Sequence, residues 1–544
     1  MKIRFFKLLC GPALGILILS GCGGTSLILT PVENIDNVPL KITELSESEK
    51  RSWGHADLTT DTIPGMSVNR AYRDIIGTKK GKKVIVAVID SGMDLEHEDL
   101  DGVLWTNKRE RPGNGKDDDK NGYVDDIHGY NFLGASYNEQ LEFTRIVKLK
   151  LADADTQLKA KSQLDSESSQ AKQNKQQYEQ ILQTVKNADE AVKKHLGKDT
   201  YDKEDITQIK TEDQAMQQHI GVLMQMYSFA DSIPEVLEEL KDGINYFSEQ
   251  LNYHLNAEFD GRKPVGDNPY DFDDKGYGNG NPQNMLKDES HGTHVAGIIG
   301  AERDNGVGMK GVANNVALMS LRAVPNGDEY DKDIALAIRY AVDNGAKVIN
   351  ASFGKSFSPN ADWVYDAIKY AAEKDVLIVH AAGNDGNDLD NPANPNFPND
   401  QINNGPEFAD NVITVGALAS KYGSEMVASY SNYGAINVDV FAPGSDIYST
   451  QPGNKYEFSN GTSFAAPGVS GIAALIRSHY PKLTASEVKK IIMTSGLRVK
   501  TSIIVSGDAS KASYMDKISK SGRIANAYNA LIMAEQVAKG KLKV

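Results

Sequence analysis

The chain has 544 residues and a hydrophobic fraction of 40%, enough apolar material for one large core or several, which excludes wholesale disorder. Its formal net charge of -15 argues against nucleic acid, and against anionic membrane surfaces, as partners held by bulk electrostatics. The only two cysteines are Cys10 and Cys22.

Lys2, Arg4 and Lys7 form a basic end before the largely apolar run Leu8–Leu19, too short to span a bilayer and suited to a signal-peptide core. The run closes in Leu19-Ser20-Gly21-Cys22, which resembles the lipobox of bacterial lipoproteins. That resemblance implies a signal peptide over 1–21 and a diacylglycerol on Cys22. It also implies an extracytoplasmic protein held on a bacterial membrane by its lipid. Cys10 leaves with the signal, so the mature chain forms no internal disulfide. Residues 22–80 read as a lipidated tether and a first helix, in which Ala71, Tyr72, Ile75 and Ile76 have helical spacing. Little room remains there for a folding propeptide.

The first part of a main domain is expected over 81–139. Val84–Ile89 is a continuous β-branched run, the pattern of a strand buried on both faces in a parallel sheet. It ends at Asp90-Ser91-Gly92. Asp90 therefore sits at the carboxyl end of a central strand, where sites of open α/β sheets form; an Asp there also serves as a plain turn residue. In Asp117–Asp126, oxygen ligands alternate at Asp117, Asp119 and Asn121 ahead of Gly122, like the first half of an EF-hand loop. The carbonyl of Tyr123 and a carboxylate of Asp125 or Asp126 would complete a calcium shell. The twelfth position is His128 and not a bidentate Glu, so a true EF-hand is not expected, and a solvated acidic turn is the alternative.

Residues 140–257 change character: Gln, Lys, Glu, Asp and Ala dominate. Ile181, Val185, Ala188, Val192 and Leu196 step by three and four, as do Leu237, Leu240, Ile244, Phe247 and Leu251. An inserted helical hairpin or bundle is expected, serving either as a spacer or as an arm that gates substrate or docks a protein partner.

The main domain resumes over 258–535. His291-Gly292-Thr293-His294-Val295-Ala296-Gly297 opens a buried helix. Val316–Leu321, Val348–Gly354, Val376–Ala382, Asn411–Ala417 and Asp439–Pro443 read as strands, alternating with helices at Ile334–Val342 and Trp363–Ala372. Asn384 follows the end of the fourth of these runs counted from Val84, as Asp90 follows the first. Ser463, in Gly461-Thr462-Ser463, begins another small-residue helix; alone it reads as an N-cap. The fold class is α/β: a three-layer, doubly wound, mostly parallel sheet with the helical unit inserted.

Asp90-Ser91-Gly92, His291–Gly297 and Gly461–Pro467 together resemble the three signature motifs of subtilisin-like serine peptidases, in their Asp, His, Ser order. The resemblance covers roughly 80–135 and 260–530. It implies a polypeptide substrate and a triad of Ser463 as nucleophile, His291 as base and Asp90 as its orienting acid. Asn384 would be an oxyanion-hole donor. Ser352, Phe353 and Gly354 would pair with an extended substrate, Ala382 and Gly383 would border a specificity pocket, and no organic cofactor is implied. Asp90, His291, Asn384 and Ser463 are then expected on one rim of the sheet. The competing class is a binding or scaffold lipoprotein on the same fold, acting through its helical arm.

Overall fold

The computed structural model describes residues 29–30, 41–287 and 289–544. The signal segment and Cys22 lie outside the described residues. Among them, no helix is long and apolar enough to cross a membrane.

The main domain is built on strands β1 (Val84–Asp90), β2 (Gly129–Asn131), β3 (Val316–Arg322), β4 (Val348–Ala351), β5 (Leu377–Ala381), β6 (Val412–Leu418) and β7 (Val440–Pro443). They are parallel, in the order β7-β6-β5-β4-β1-β3-β2. A hairpin of β8 (Ile447–Gln451) and β9 (Lys455–Ser459) follows. Another small pair is β11 (Ser502–Ile504) with β12 (Ala512–Tyr514). The far edge is closed by β13 (Arg523–Ile524), parallel to β7, and by β10 (Leu497–Arg498), antiparallel to β13.

Side chains alternate across a strand, so one run feeds two cores. In β1, Val84, Val86 and Val88 face one, while Ala87 and Ile89 face the other. The short helices α1 (Glu47–Lys50) and α2 (Val68–Ala71) precede the sheet. The insertion holds α3 (Glu142–Leu149), α4 (Ala154–Leu196), α5 (Lys203–Thr207), α6 (Gln214–Met226) and α7 (Ile233–Glu249). The rest are α8 (His291–Gly300), α9 (Asp331–Asp343), α10 (Ala361–Glu373), α11 (Thr462–His479), α12 (Ala485–Ser495) and α13 (Ala527–Ala538). Residues of α9 and α10 fill the second core; those of α2, α8, α11, α12 and α13 fill the first.

The approach to the sheet is not a free tether along its whole length. Trp53, Leu58, Ile63, Met66 and Val68 are buried in the first core, and Trp53 Nε1 donates to Ser445 O at 3.1 Å. Thr30 N also donates to Asn529 Oδ1 at 2.9 Å.

The insertion leaves and re-enters the domain at one point, where Leu141 N donates to His254 O at 3.0 Å. Its long helix α4, about 64 Å at 1.5 Å per residue, starts at the N-cap Asp153 and stops at Gly197 in the left-handed region (φ 62°). Two small cores form along it. The distal one joins Val185, Ala188 and Val192 to Ile206, Leu223, Ile233 and Val236; the proximal one joins Ala160, Leu164 and Ala171 to Phe143, Ile146 and Leu255. Between them α7 presents Gly243 to Tyr178, where an added Cβ would lie 2.2 Å from the ring.

At the root, α3 buries Glu142 and Arg145 in the main domain. Glu142 Oε2 accepts from Arg145 Nη2 at 2.7 Å and from Lys355 Nζ at 2.6 Å, and Lys355 also meets Asp331 at 2.9 Å. Arg145 Nη1 reaches Asp328 O at 2.8 Å. Burying these ions offers little net gain, but removing one partner strands the others away from water, a loss of about 3–5 kcal/mol. Glu142→Ala is therefore expected to destabilise the protein by about 3 kcal/mol or more in chemical denaturation, and Glu142→Gln, which keeps the shape, by less.

Candidate active site

Two strand ends and two helix starts meet on the carboxyl rim of the sheet. Asp90 closes β1 and is 2% exposed. His291 is the first residue of α8, and its Nδ1 lies 2.7 Å from Asp90 Oδ1. The contact is possible because the next residue is glycine: a Cβ on Gly292 would come within 2.0 Å of Gly92 O. Asp90 Oδ1 also accepts from Ser91 N at 2.8 Å, while its Oδ2 is buried without a partner. Burial opposes charging His291, but the facing carboxylate outweighs it and holds the imidazole pKa above its ordinary value. The neighbouring His294 is driven the other way, to about 3, chiefly by burial.

Ser463 lies in the first turn of α11. Pro467, four residues on, has no N–H with which to take the Ser463 carbonyl. Ser352 Oγ takes it instead at 2.8 Å, and Asn350 Nδ2 and Ser470 Oγ extend the chain of bonds into the core. Ser463 Oγ itself donates to Ser352 O at 3.2 Å. Asn384, just past β5, has its amide oxygen engaged by Thr462 N at 2.8 Å and Thr462 Oγ1 at 2.9 Å. Its NH2 is thus the end left for a ligand, and Asn384 and Ser463 line one cleft.

That cleft, of about 1440 Å³, separates the remaining expected residues into two groups. Phe353, Gly354 and Gly383 line it. Ser352 and Ala382 are buried behind: Ser352 secures Ser463, and the Ala382 carbonyl accepts from Asn432 Nδ2 at 2.9 Å and Asn396 Nδ2 at 3.1 Å. His380, absent from the sequence reading, anchors the lining from below: its Nε2 is 2.8 Å from Phe353 O, and burial lowers its pKa to about 4, so the ring is neutral. Such a residue looks in sequence like any polar side chain on a buried strand. Leu141, Phe143 and the start of α4 form another wall, so the insertion's root belongs to the cleft.

The acidic loop is gathered differently from the expected shell. Carboxylate oxygens of Glu110, Asp117 and Asp119 lie within 4.8 Å of one another. Glu110 is 7% exposed with Oε2 unpartnered, and no spacing rule tied it to the loop. Asp125, with a left-handed backbone (φ 54°), turns its carboxylate back onto Asn114 N and Gly115 N. Asp126 is buried on Asn107, Asn121 and the Tyr340 hydroxyl. Asn121 Oδ1 is engaged by Tyr123 N at 2.8 Å. Asp125, Asp126 and Asn121 thus hold the loop's shape; Asp117 and Asp119, gathered with Glu110, also accept from Asn121 N, Asp117 from Gly122 N, and Asp119 meets Arg109 at 3.0 Å.

A model of the subtilase family matches residues 234–520, just over half of the chain. A thermophilic serine proteinase of Bacillus sp. (strain AK1) is 41% identical over 226 residues, covering 41% of this chain and 49% of that protein. Subtilisin DY of Bacillus licheniformis is 40% identical over 201 residues, 37% of this chain and 67% of that one. Thermitase of Thermoactinomyces vulgaris is 38% identical over 198 residues, 36% and 63% respectively. The chain thus spans about half the length of the first of these relatives.

The Asp90–His291 pair makes a pH prediction. A histidine whose folded pKa is raised stabilises the fold fully below its unfolded value, about 6.5, and that contribution is lost as pH rises through the folded pKa. NMR titration of His291 is expected to give a midpoint above 6.5, and Asp90→Asn is expected to bring it below that value, because only the effect of burial remains.

Proposed function

The chain belongs to the subtilase family, and we propose that it is a serine endopeptidase hydrolysing peptide bonds through an acyl-enzyme. The observation that carries this reading is that the Asp90–His291 pair, at 2.7 Å, lies beside Phe464, with 5.4 Å between the His291 and Phe464 ring centroids, next to Ser463, which lines a long cleft together with Asn384.

In this reading Ser463 Oγ turns from Ser352 O toward His291, which accepts its proton as Oγ attacks the substrate carbonyl. Asp90, on Nδ1, keeps the opposite ring nitrogen free for that proton and stabilises the imidazolium. The tetrahedral oxyanion is met by Asn384 Nδ2 and the Ser463 backbone N–H, at a helix start whose dipole favours negative charge. His291 then returns the proton to the leaving amine, and water repeats the sequence on the ester. The substrate lies extended along Phe353 and Gly354.

Three finer readings accompany this one. The Leu19–Cys22 motif supports a lipid anchor on Cys22 and an extracytoplasmic membrane location. The all-oxygen donor set of Glu110, Asp117 and Asp119, with its unpartnered buried Glu110 oxygen, fits calcium, which would add to the cation already there, Arg109 on Asp119 at 3.0 Å. We read the insertion as part of substrate access rather than as a partner's dock, because its root lines the cleft.

A fluorophosphonate probe is expected to label the wild type and not Ser463→Ala; labelling that survives the substitution would refute the assignment. Asn384→Ala is expected to lower kcat by about 10²–10³, the usual cost of a lost oxyanion donor, with KM little changed. Chelation with EGTA is expected to lower the melting temperature of the wild type but not that of Glu110→Gln.

A further inference from the structure

The helix α4 carries two stripes. Ala160, Leu164 and Ala171 recur at helical spacing and face α3 and Leu255 in the proximal core. Next to that stripe, Thr156, Lys159, Gln163 and Glu167 also recur at three, four and four, so they share a face, and all four line the cleft that holds Ser463 and Asn384. This polar stripe is not simply the solvent side of a surface helix. It is the side turned to the cleft.

The charges around it are not balanced. Glu167 on α4, Asp328 and Asp385 all line the same cleft. Burial, and then repulsion from Asp328 and Asp385 across the gap, hold Glu167 above the usual carboxylate range, although Gln163 Nε2 donates to it at 2.9 Å. Of the two cleft lysines, Lys355 is spent: it is buried and paired with Glu142 and Asp331. Lys159 is exposed, two turns before Glu167. The wall is also bonded to the floor. Glu142 of α3 binds the residue immediately after Gly354, and the Phe143 ring meets Phe357 at 6.4 Å between centroids.

We propose that α4 is a substrate-recognition wall, in which Glu167, with Asp328 and Asp385 opposite, selects a lysine or arginine side chain on the polypeptide lying along Phe353 and Gly354. The inference rests on reading the cleft as a peptidase site. A basic substrate side chain entering there brings positive charge to a lining in which, among the described residues, Glu167 and Asp385 have no ion-pair partner and Asp328 has Arg145 and Lys355 behind it. An acidic side chain adds a fourth like charge and is rejected.

The test uses the full-length protein and fluorogenic peptides that differ only in carrying Lys, norleucine or Glu at each of the four positions before the scissile bond. The readout is the ratio of kcat/KM between Lys and norleucine peptides, so that a general change in activity divides out. The wild type is expected to favour Lys by about tenfold or more at one position, the size of one partly solvated charge pair. Glu167→Gln is expected to reduce that ratio severalfold, and Glu167→Lys to shift the preference at the same position toward Glu. The rate of fluorophosphonate labelling shows in each variant whether the Ser463 site is intact. Ratios near one in the wild type, or ratios unmoved by both substitutions while labelling persists, would overturn the proposal and leave the peptidase reading standing. Absence of both labelling and cleavage in the wild type would overturn the peptidase reading, and this one with it.

Discussion

Asp90 and His291 stand 201 residues apart in the chain and 2.7 Å apart in space. Everything else on the rim is arranged around that hydrogen bond. It requires β1 to end where α8 begins, hence a glycine at 292, since no side chain fits against Gly92 O. It requires a central position for β1, which pairs with β3 on one side and β4 on the other, so that the loops after β4 and β5 can bring Phe353 and Asn384 to the same place. It also requires the long excursion between them to begin and end together.

The serine side of the site answers a different constraint. A helix that begins under Ser463 and contains Pro467 has one carbonyl too many at its start. Ser352 resolves this from the adjacent strand end. The segment Ser352–Gly354 at the edge of the cleft and the turn that carries Ser463 are thereby joined through side chain and backbone, in both directions. His380 adds a neutral donor beneath Phe353, its Nε2–H on the Phe353 carbonyl, held uncharged by burial. Buried polar groups at the site are satisfied by one another, which fixes their arrangement in the structure.

Much of this was legible in the sequence. The strands at Val84, Val316, Val348, Leu377, Val412 and Val440 were visible as apolar β-branched runs, and the parallel three-layer sheet followed from their alternation with helices. The distal half of α4 was visible because Val185, Ala188 and Val192 keep strict helical spacing. Its proximal half was not, since Ala160, Leu164 and Ala171 are too sparse among Gln, Lys and Ser to mark a face. Long-range pairings were hidden for a plainer reason. Glu142 with Lys355, Glu110 with the acidic loop, and Trp53 with Ser445 join residues that no local period relates. Charged residues buried at the root looked in sequence like those on any solvated helix, and only the fold distinguishes them.

The bond from Leu141 N to His254 O has a consequence for how the chain assembles. Loop-closure entropy depends on the free contour between two points, and not on how many residues are threaded through it. Once the inserted bundle has formed on its own two small cores, its ends already touch. The distance along the chain from Asp90 to His291 then shrinks, in polymer terms, to the two segments on either side of the root, 90–141 and 254–291. The pairing stays long-range, but its effective loop falls from 201 to about 88 residues, so the bundle lowers the closure cost of the contact it separates in sequence by about 0.7 kcal/mol.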